Sequence, residues 1–515
     1  MKSHYQSLVF FICLMLLTLS AHAHSPMFPD TFKYDDTNEG ISPEAKRSIQ
    51  SKNSSAQRVA TPCVDGLAGD YPCRNIDLQA FLAPSDMGGG NAALNDVWGW
   101  TDITTGNEIA IVGRINGTSF VDITDSENPV FLGFLPSHDG GVDSWRDIKI
   151  YQDHAFIVAD GSNNSTHGLQ IYDLTQLADV TPGEELTETA HLGGFGAAHN
   201  IAINEDTGFA YVTGAPPTCS GGLFMVDISS PASPEFVGCF SVDGYTHDAQ
   251  CVTYQGPDAD YFGNEICVAY NEDTVTIADV TDKQNPVQIS RTSYQGVQYT
   301  HQGWFVSDNH SYLLMNDELD ERDSNINTTT HIFDVRDLDA PVRFSTYVGP
   351  TTAIDHNLYT NNGLVYQSNY RSGLRILSTD NADTGSLEER AFFDTIPCSA
   401  SPQFSGVWSS YVFFASGNIA VSDIGTGLFI VRPDDNAIAS NANNVAVVTS
   451  PACITDTGGN TDTGGGGDTG GDTGGDTGGN NGNTGGSGGG GGVFPLWQLL
   501  GLSLCILFGV RRLYR

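Results

Sequence analysis

The chain has 515 residues, of which 22 are basic and 61 are acidic, so its formal net charge is −39. This acidic excess excludes sequence-independent nucleic-acid binding, which requires a basic surface that displaces phosphate counterions. A chain of this length can hold several domains, although a large all-β ring can also use it as a single domain.

Residues 1–23 have the pattern of a secretory signal peptide. Lys2 supplies the positive charge, residues 8–19 form the apolar core, and Ala21-His22-Ala23 is an Ala-x-Ala cleavage site. The apolar run is too short to cross a bilayer. We therefore expect a mature protein that begins at residue 24 and works outside the cytoplasm.

Eight of the ten cysteines lie outside the signal peptide and the C-terminal segment, and an even number in an exported protein favours disulfides. Cys63 and Cys73 would close a small loop in an N-terminal extension, residues 24–74. Cys251 and Cys267 lie symmetrically about a predicted hairpin loop and would face each other across two strands. Four further disulfide candidates have no pairing that the sequence reveals: Cys219, Cys239, Cys398 and Cys453.

Residues 75–434 repeat a strand–turn–strand pattern without a helical period. An apolar strand that ends in Asp and leads through Pro into another strand occurs in four clear copies: Phe120–Thr124, Met225–Ser229, Ile277–Thr281 and Ile332–Val335. Alternating β-branched and aromatic residues fit a pleated sheet. A two-strand unit precedes each copy, so each repeat holds four strands in about 50 residues, which matches a propeller blade.

Seven inner strands can be counted, and they begin near Asp96, Asp147, His199, His247, His301, His356 and Gly406. The last repeat lacks a fourth strand, whereas an isolated strand, Asn75–Leu82, precedes the first repeat. We therefore predict an all-β fold, a seven-bladed β-propeller of four-stranded blades. Its N-terminal outer strand would complete the seventh blade and so remove the open sheet edges.

A histidine opens four of these strands, at intervals of 48, 54 and 55 residues: His199, His247, His301 and His356. Equivalent positions in a ring of repeats converge on its axis, and four neutral imidazoles suit iron, copper or zinc. Polar residues at the same or the next position would orient the rings or line the channel mouth: Asp96, Arg146, Asp147, Asn200, Asp248, Gln302 and Asn357. The alternative is structural, with these residues bonding the neighbouring blade.

Residues 316–323 form a dense acidic segment, Asn-Asp-Glu-Leu-Asp-Glu-Arg-Asp. Its oxygen ligands would suit calcium, but the spacing is not that of an EF-hand, so a solvated loop is the preferred interpretation. No Gly-x-Ser-x-Gly, His-Glu-x-x-His or phosphate-loop motif supports a hydrolase or a nucleotide-binding protein.

The end of the chain has the composition of a sorting device. Residues 435–455 form a C-terminal extension, and residues 456–492 are a Gly/Asp/Thr-rich linker with nothing apolar to bury. Residues 493–515 join 18 largely apolar residues to an arginine tail, as in a short membrane span whose arginines stay in the cytoplasm. Gly491 and Gly492 adjoin this span, and Arg511 and Arg512 follow it.

This C-terminal order resembles the GlyGly-CTERM sorting signal of Gram-negative bacteria. The resemblance implies that the chain stays in the inner membrane until a rhombosortase-like protease cuts it, and that the product then reaches the cell surface. A plain C-terminal membrane anchor is the alternative.

The repeats resemble LVIVD repeats, and the wider run resembles the choice-of-anchor B family of secreted bacterial proteins. The matching stretches include Ser144–Lys149, Gly244–Cys251, Tyr299–Trp304 and Asn369–Arg375. The resemblance implies a propeller-like fold and a surface location, but it brings no activity.

These observations favour an exported, cell-surface-anchored propeller that acts as a binding module for an unknown extracellular ligand or surface protein. One alternative is a metal-dependent oxidoreductase that holds iron, copper or zinc with the four histidines. A second alternative is a structural surface protein that calcium stabilises. Nucleic acid is not expected among the partners.

Overall fold

The computed structural model describes residues 60–161, 166–397 and 399–438. Over these residues the chain forms seven antiparallel sheets, each with a four-stranded core, that are arranged in a ring as the blades of a propeller. The predicted all-β, seven-bladed fold is confirmed.

The strands that precede and build the first three blades follow in chain order. The N-terminal strands are β1 (Leu67–Ala68), β2 (Tyr71–Arg74) and β3 (Ile76–Leu82). Blade one contains β4 (Leu94–Thr101), β5 (Glu108–Arg114), β6 (Gly117–Asp122) and β7 (Val130–Pro136). Blade two contains β8 (Trp145–Tyr151), β9 (His154–Asp160), β10 (Leu169–Asp173) and β12 (Ala190–Leu192). The short strand β11 (Glu184–Glu185), which lies between β10 and β12 in the chain, joins the sheet of blade one. Blade three contains β13 (Asn200–Asn204), β14 (Phe209–Thr213), β15 (Leu223–Asp227) and β16 (Glu235–Phe240).

The remaining blades repeat this order, with the first strand of each lying innermost. Blade four contains β17 (Asp248–Thr253), β18 (Glu265–Tyr270), β19 (Val275–Asp279) and β20 (Val287–Thr292). Blade five contains β21 (Thr300–Phe305), β22 (Tyr312–Asp317), β23 (Thr329–Asp334) and β24 (Val342–Val348), with helix α1 (Asp320–Ser324) after β22. Blade six contains β25 (Asn357–Asn361), β26 (Leu364–Ser368), β27 (Leu374–Ser378) and β28 (Glu388–Phe393). Blade seven contains β29 (Val407–Tyr411), β30 (Ile419–Asp423) and β31 (Gly427–Pro433), before helix α2 (Asp435–Ile438).

The two ends of the ring are joined within blade seven. Strand β3 pairs antiparallel with β31, from Ile76 opposite Pro433 to Leu82 opposite Leu428. The predicted closure by an N-terminal outer strand is therefore confirmed. Strand β2 also pairs with β28 of blade six, so the last residues before the predicted propeller boundary belong to its sheets.

Burial follows the position of a strand in its blade. All six residues of the middle strand β18, Glu-Ile-Cys-Val-Ala-Tyr, are buried, because neighbouring blades cover both faces. The outer strand β24 alternates between exposed and partly buried side chains, since one face meets water. This difference is the expected one between sheets covered on both faces and sheets covered on one.

Polar side chains of the inner strands bond the backbone of the next blade. The Asp147 carboxylate accepts a hydrogen bond from the Ile201 amide at 2.8 Å. The Gln302 side chain bonds both backbone groups of Leu358, at 2.9 and 3.1 Å. Such bonds satisfy buried backbone groups that face the channel, and they fix one blade against its neighbour.

Three disulfides join the described cysteines. Cys63–Cys73 and Cys251–Cys267 form the two predicted pairs. The structure also pairs Cys219 with Cys239, which the sequence left open. The candidates Cys398 and Cys453 lie outside the described residues.

No helix among the described residues is long and apolar enough to cross a membrane. The predicted signal peptide, the Gly-rich linker and the apolar span at residues 493–515 all lie outside those residues.

Candidate functional site

The four predicted histidines lie side by side at the start of neighbouring inner strands. We call His199, His247, His301 and His356 the histidine row. Consecutive ring centroids are separated by 4.3, 4.2 and 4.5 Å. All four side chains are buried, so four successive blades contribute one imidazole each to a continuous surface near the axis.

Backbone carbonyl groups of the next blade hold two of these rings by their Nδ1 atoms. His247 Nδ1 lies 3.0 Å from the His301 carbonyl oxygen, and His356 Nδ1 lies 2.6 Å from that of Trp408. A carbonyl can only accept, so each Nδ1 carries the hydrogen and each Nε2 keeps its lone pair. This is the tautomer that a metal-binding histidine with an oriented ring adopts.

His199, at the end of the row, is held differently. Its Nδ1 lies 3.1 Å from a carboxylate oxygen of Asp160, on the second strand of blade two. A carboxylate partner fixes the same tautomer as a carbonyl would.

A carboxylate that the sequence analysis missed completes the site. Glu318, one residue beyond the end of β22, directs Oε2 towards His301 Nε2 and Oε1 towards His356 Nε2, at 3.7 Å in each case. Ligand atoms of these three residues lie within 4.8 Å of one another. The structure thus groups two histidines with one carboxylate, while His199 and His247 continue the row beside them.

Tyr370 supports this carboxylate. Its hydroxyl donates to Glu318 Oε1 at 2.7 Å, and its ring lies 4.7 Å from that of His356. The backbone of Tyr370 has a φ of 35°, a strained value for a residue with a side chain. Strain of this kind persists where the surrounding structure over-determines a conformation, which is common at functional sites.

Burial controls the charge of the site. It lowers the pKa of His356 to about 3, and with neighbouring histidines it lowers the pKa of His247 and His301 well below the usual value. Burial also raises the pKa of Glu318 to about 7. The imidazoles of His247, His301 and His356 are therefore neutral at physiological pH, which is the form that binds metals.

Most of the other predicted site residues act between blades. Asp147 and Gln302 bond the next inner strand as described above, and Asn200 donates to the His247 carbonyl at 3.0 Å. Arg146 turns away from the row and donates to the Arg114 carbonyl and to Ser137, at 3.0 Å each. Asn357 opens β25 as a buried residue, directly after His356.

Three predicted carboxylates, Asp96, Asp147 and Asp248, lie around one largely buried lysine, Lys149. Lys149 Nζ lies 2.7 Å from Asp147 and 3.9 Å from Asp96. Burial raises the pKa of Asp96 well above its usual value and that of Asp248 to about 7. The ammonium group also lies 4.4 Å from the ring centroid of Trp98, a cation–π contact.

Lys149 and Asp248 also line a cavity of about 600 Å³. All seven inner strands contribute to its wall, and the loops that follow them form its rim. One side is aromatic, with Trp98, Trp304, Tyr359, Tyr411 and Phe413 in successive ring contacts. The exposed carboxylates Glu205, Asp206 and Asp308 lie on the rim.

The acidic segment at residues 316–323 is largely enclosed. The preferred expectation of a solvated loop is wrong, because Asp317, Asp320 and Glu321 are all buried. Only the end of the segment, Arg322 and Asp323, reaches solvent, where the two side chains pair at 2.7 Å.

Comparison with known families identifies one repeat. The LVIVD repeat family model matches residues 195–242, which span blade three from just before His199 to the end of its outer strand. The chain is a β-propeller that carries an LVIVD repeat. In this LVIVD propeller the matched repeat includes the first histidine of the row. Comparison with curated proteins finds no match.

Two of the solved structures to which this chain is similar are distant from it in sequence. The Cps50 (Swd1) β-propeller domain of Myceliophteria thermophila is 11% identical with a TM-score of 0.42, and the match covers 65% of this chain and 96% of that one. A chain of the mitotic checkpoint complex is 13% identical with a TM-score of 0.46, over 70% of this chain and 92% of that one. Similarities of this level do not bear on the ligand of this chain.

Proposed function

We propose that this LVIVD propeller is an exported protein, anchored at the cell surface, whose central channel binds a small ligand. The observation that carries the proposal is the cavity of about 600 Å³, with an aromatic wall and an acidic rim. Small-molecule sites are concave, have volumes of roughly 300–1,000 Å³, and combine aromatic walls with a few polar groups. The cavity has these properties.

The lining suggests the chemistry of the ligand. Trp98, Trp304 and Phe413 are half-buried, so part of each ring can contact a guest. Lys149 is the one lysine or arginine in the described lining, and Asp147 already pairs with it. The net potential is therefore negative, which favours a neutral or cationic ligand. Sugars and amino sugars have this chemistry, because they combine a ring face with hydroxyl or amino donors.

Binding can be measured by calorimetry of the purified chain with neutral, amino and acidic oligosaccharides. We expect neutral or amino sugars to bind, and Trp304→Ala to weaken binding about tenfold through loss of a ring contact. Phe262→Ala, which removes an aromatic residue 64% exposed and outside the cavity, is the matched control. Preference for acidic sugars, or binding that Trp304→Ala leaves unchanged, would contradict the proposal.

A second candidate function is supported by the group formed by His301, His356 and Glu318. Two imidazole nitrogens and one carboxylate form the ligand set that non-haem iron oxygenases use, and this set leaves coordination positions open for reactants. The second candidate is therefore a metal-dependent oxidoreductase, in which iron, or alternatively copper or zinc, binds at this group. His247, adjacent in the row, would be a further ligand or would shape the approach of a substrate.

Elemental analysis of the purified chain tests this candidate. We expect nearly one equivalent of iron, copper or zinc in the wild type and in His154→Ala, whose partly exposed ring lies on blade two away from the row. His301→Ala and Glu318→Gln should lose most of the metal. A folded wild type without metal, or metal content that neither variant changes, would contradict a site at this group.

Export and anchoring require their own measurement. In cells, added protease should digest the chain at the surface, and replacement of Gly491 and Gly492 by valine should leave it uncut in the inner membrane. Surface delivery that is independent of both glycines would favour a plain anchor over processing by a rhombosortase-like protease.

A further inference from the structure

Two buried side chains of the cavity wall keep hydrogen-bond donors that the described part of the chain does not use. Gln250 lies on β17, the inner strand of blade four, and His310 lies in the turn between β21 and β22 of blade five. Both residues line the cavity of about 600 Å³, and each is only 8% exposed. Buried donors are nearly always paired, so two unpaired donors at one cavity require an explanation.

Gln250 is held in place by its oxygen atom. Its Oε1 accepts a hydrogen bond from the Phe305 amide of the next blade at 2.8 Å. Gln302, which also lines the cavity, uses both its oxygen and its nitrogen in bonds with Leu358. Nε2 of Gln250, in contrast, finds no acceptor among the described residues. Its two hydrogens are therefore available to a molecule in the cavity.

His310 is held in place by the nitrogen that does not donate. Its Nδ1 lies 3.0 Å from the Gln255 amide, which can only donate, so Nδ1 keeps the lone pair and Nε2 carries the hydrogen. The ring packs against Phe305 and Tyr254, whose centroids are 4.6 and 5.6 Å away. No residue in the described ranges accepts from Nε2. Burial lowers the pKa of His310, so the ring is an uncharged donor at neutral pH.

The backbone around His310 is strained into this arrangement. Its φ is 45°, in the left-handed region that residues with a side chain rarely adopt, and its amide closes a tight turn on the Ser307 carbonyl at 3.0 Å. Strain of this kind is common where a side chain has a functional position to keep. Phe305 connects the two donors, since its amide bonds Gln250 and its ring contacts His310.

We propose that Gln250 and His310 are the specificity-determining donors of the cavity, and that its ligand is an uncharged sugar whose oxygens accept from them. This inference rests on the proposed function and narrows it from neutral and amino sugars to neutral ones. Nε2 of either residue can only donate, as an ammonium group can, so the amine of an amino sugar finds no acceptor there. A site with buried donors rejects an analogue that leaves them unpaired.

Calorimetry of the purified chain with two matched probes, a disaccharide of glucose and the corresponding disaccharide of glucosamine, tests the inference. The wild type should bind the neutral disaccharide about tenfold more tightly. Gln250→Glu keeps an oxygen for the Phe305 amide but replaces the donor by a carboxylate oxygen. It should bind the neutral disaccharide about tenfold more weakly and prefer the amino disaccharide. Gln284→Glu, the same change at an exposed position outside the cavity, is the matched control and should behave as the wild type.

His310→Phe removes the second donor and keeps an aromatic ring against Phe305 and Tyr254. It should weaken binding of the neutral disaccharide about tenfold, with thermal denaturation as the check that it is folded, because the Gln255 amide loses its acceptor. A wild type that binds neither disaccharide would overturn the proposed function and this inference with it. Binding that Trp304→Ala weakens but Gln250→Glu leaves unchanged would overturn this inference alone. Tighter binding of the amino disaccharide by the wild type, a result that needs no variant, would also overturn it.

Discussion

Replacement of Lys149 by methionine tests how the channel tolerates its buried charges. The ammonium group lies 2.7 Å from Asp147 and 3.9 Å from Asp96, and its side chain is only 12% exposed. Methionine keeps much of the apolar stem, but it leaves the carboxylates without their cation. Breaking a buried pair in this way costs about 3–5 kcal/mol, since the remaining charge is uncompensated.

The cost should depend on pH in a direction that follows from the pKa values. Burial raises the pKa of Asp147, but Lys149 and hydrogen bonds outweigh burial and hold it below its ordinary value. In the wild type the Asp147 carboxylate therefore stabilises the fold at pH values above the pKa that it has in the unfolded state. In the variant the folded pKa rises above the unfolded one, so the penalty is greatest at neutral pH. It decreases as pH falls and the carboxyl takes up a proton, by at most about 1.4 kcal/mol per pH unit for one group.

Urea denaturation at pH about 7.5 and about 5 measures both effects. Lys149→Met should unfold at lower urea than the wild type at pH 7.5, and the difference should shrink at pH 5. Arg336→Met, which breaks a surface pair with Asp334, is the control and should change little at either pH. A loss below about 1 kcal/mol, or an equal loss at both pH values, would refute the idea that Lys149 neutralises the channel.

Three further predictions concern other parts of the ring. Burial and a neighbouring arginine lower the pKa of His167 to about 3. As pH falls, this histidine is therefore protonated in the unfolded state before it is protonated in the folded state. This histidine should contribute about 2 kcal/mol to the stability that the wild type loses between pH about 6.5 and 4.5 in urea titrations, and His167→Gln should reduce the loss by that amount. The disulfide Cys251–Cys267 closes a short loop, with a sequence separation of 16, so replacing both cysteines by alanine should cost about 3 kcal/mol in the same assay. Tyr370→Phe should weaken metal binding about 10–100-fold without lowering Tm; unchanged affinity would contradict its support of Glu318.

The fold could be predicted from local chemistry because each blade repeats it. The alternating β-branched and aromatic residues of the strands, together with the turns that contain Asp and Pro, predicted seven blades. The isolated strand before the first repeat, which is β3 in the structure, indicated how the ring closes. The addition of β2 to blade six was not predicted. It depends on where the chain passes after the Cys63–Cys73 loop, and no periodic signal marks that path.

The candidate site could be predicted only in part. Equivalent strand positions brought the four histidines next to one another, but positions in a ring lie around the axis rather than at one point. The hypothesis that one metal binds all four remains a prediction. Glu318 was missed because its segment is rich in charge, and the sequence does not show which charged residues the blades enclose. The position of Glu318 directly after β22 could have indicated its role, because β22 pairs with the strand that carries His301.

The structural and the metal-binding interpretations of the histidine row are compatible, and this determines which variant is informative. His247 and His356 bond the next blade through Nδ1, and the same bonds keep Nε2 free to act as a ligand. Replacing either histidine would therefore reduce stability even if no metal ever bound. Glu318→Gln leaves these inter-blade bonds intact and removes only the charge that faces His301 and His356. Loss of metal in this variant at unchanged Tm would separate coordination from blade packing.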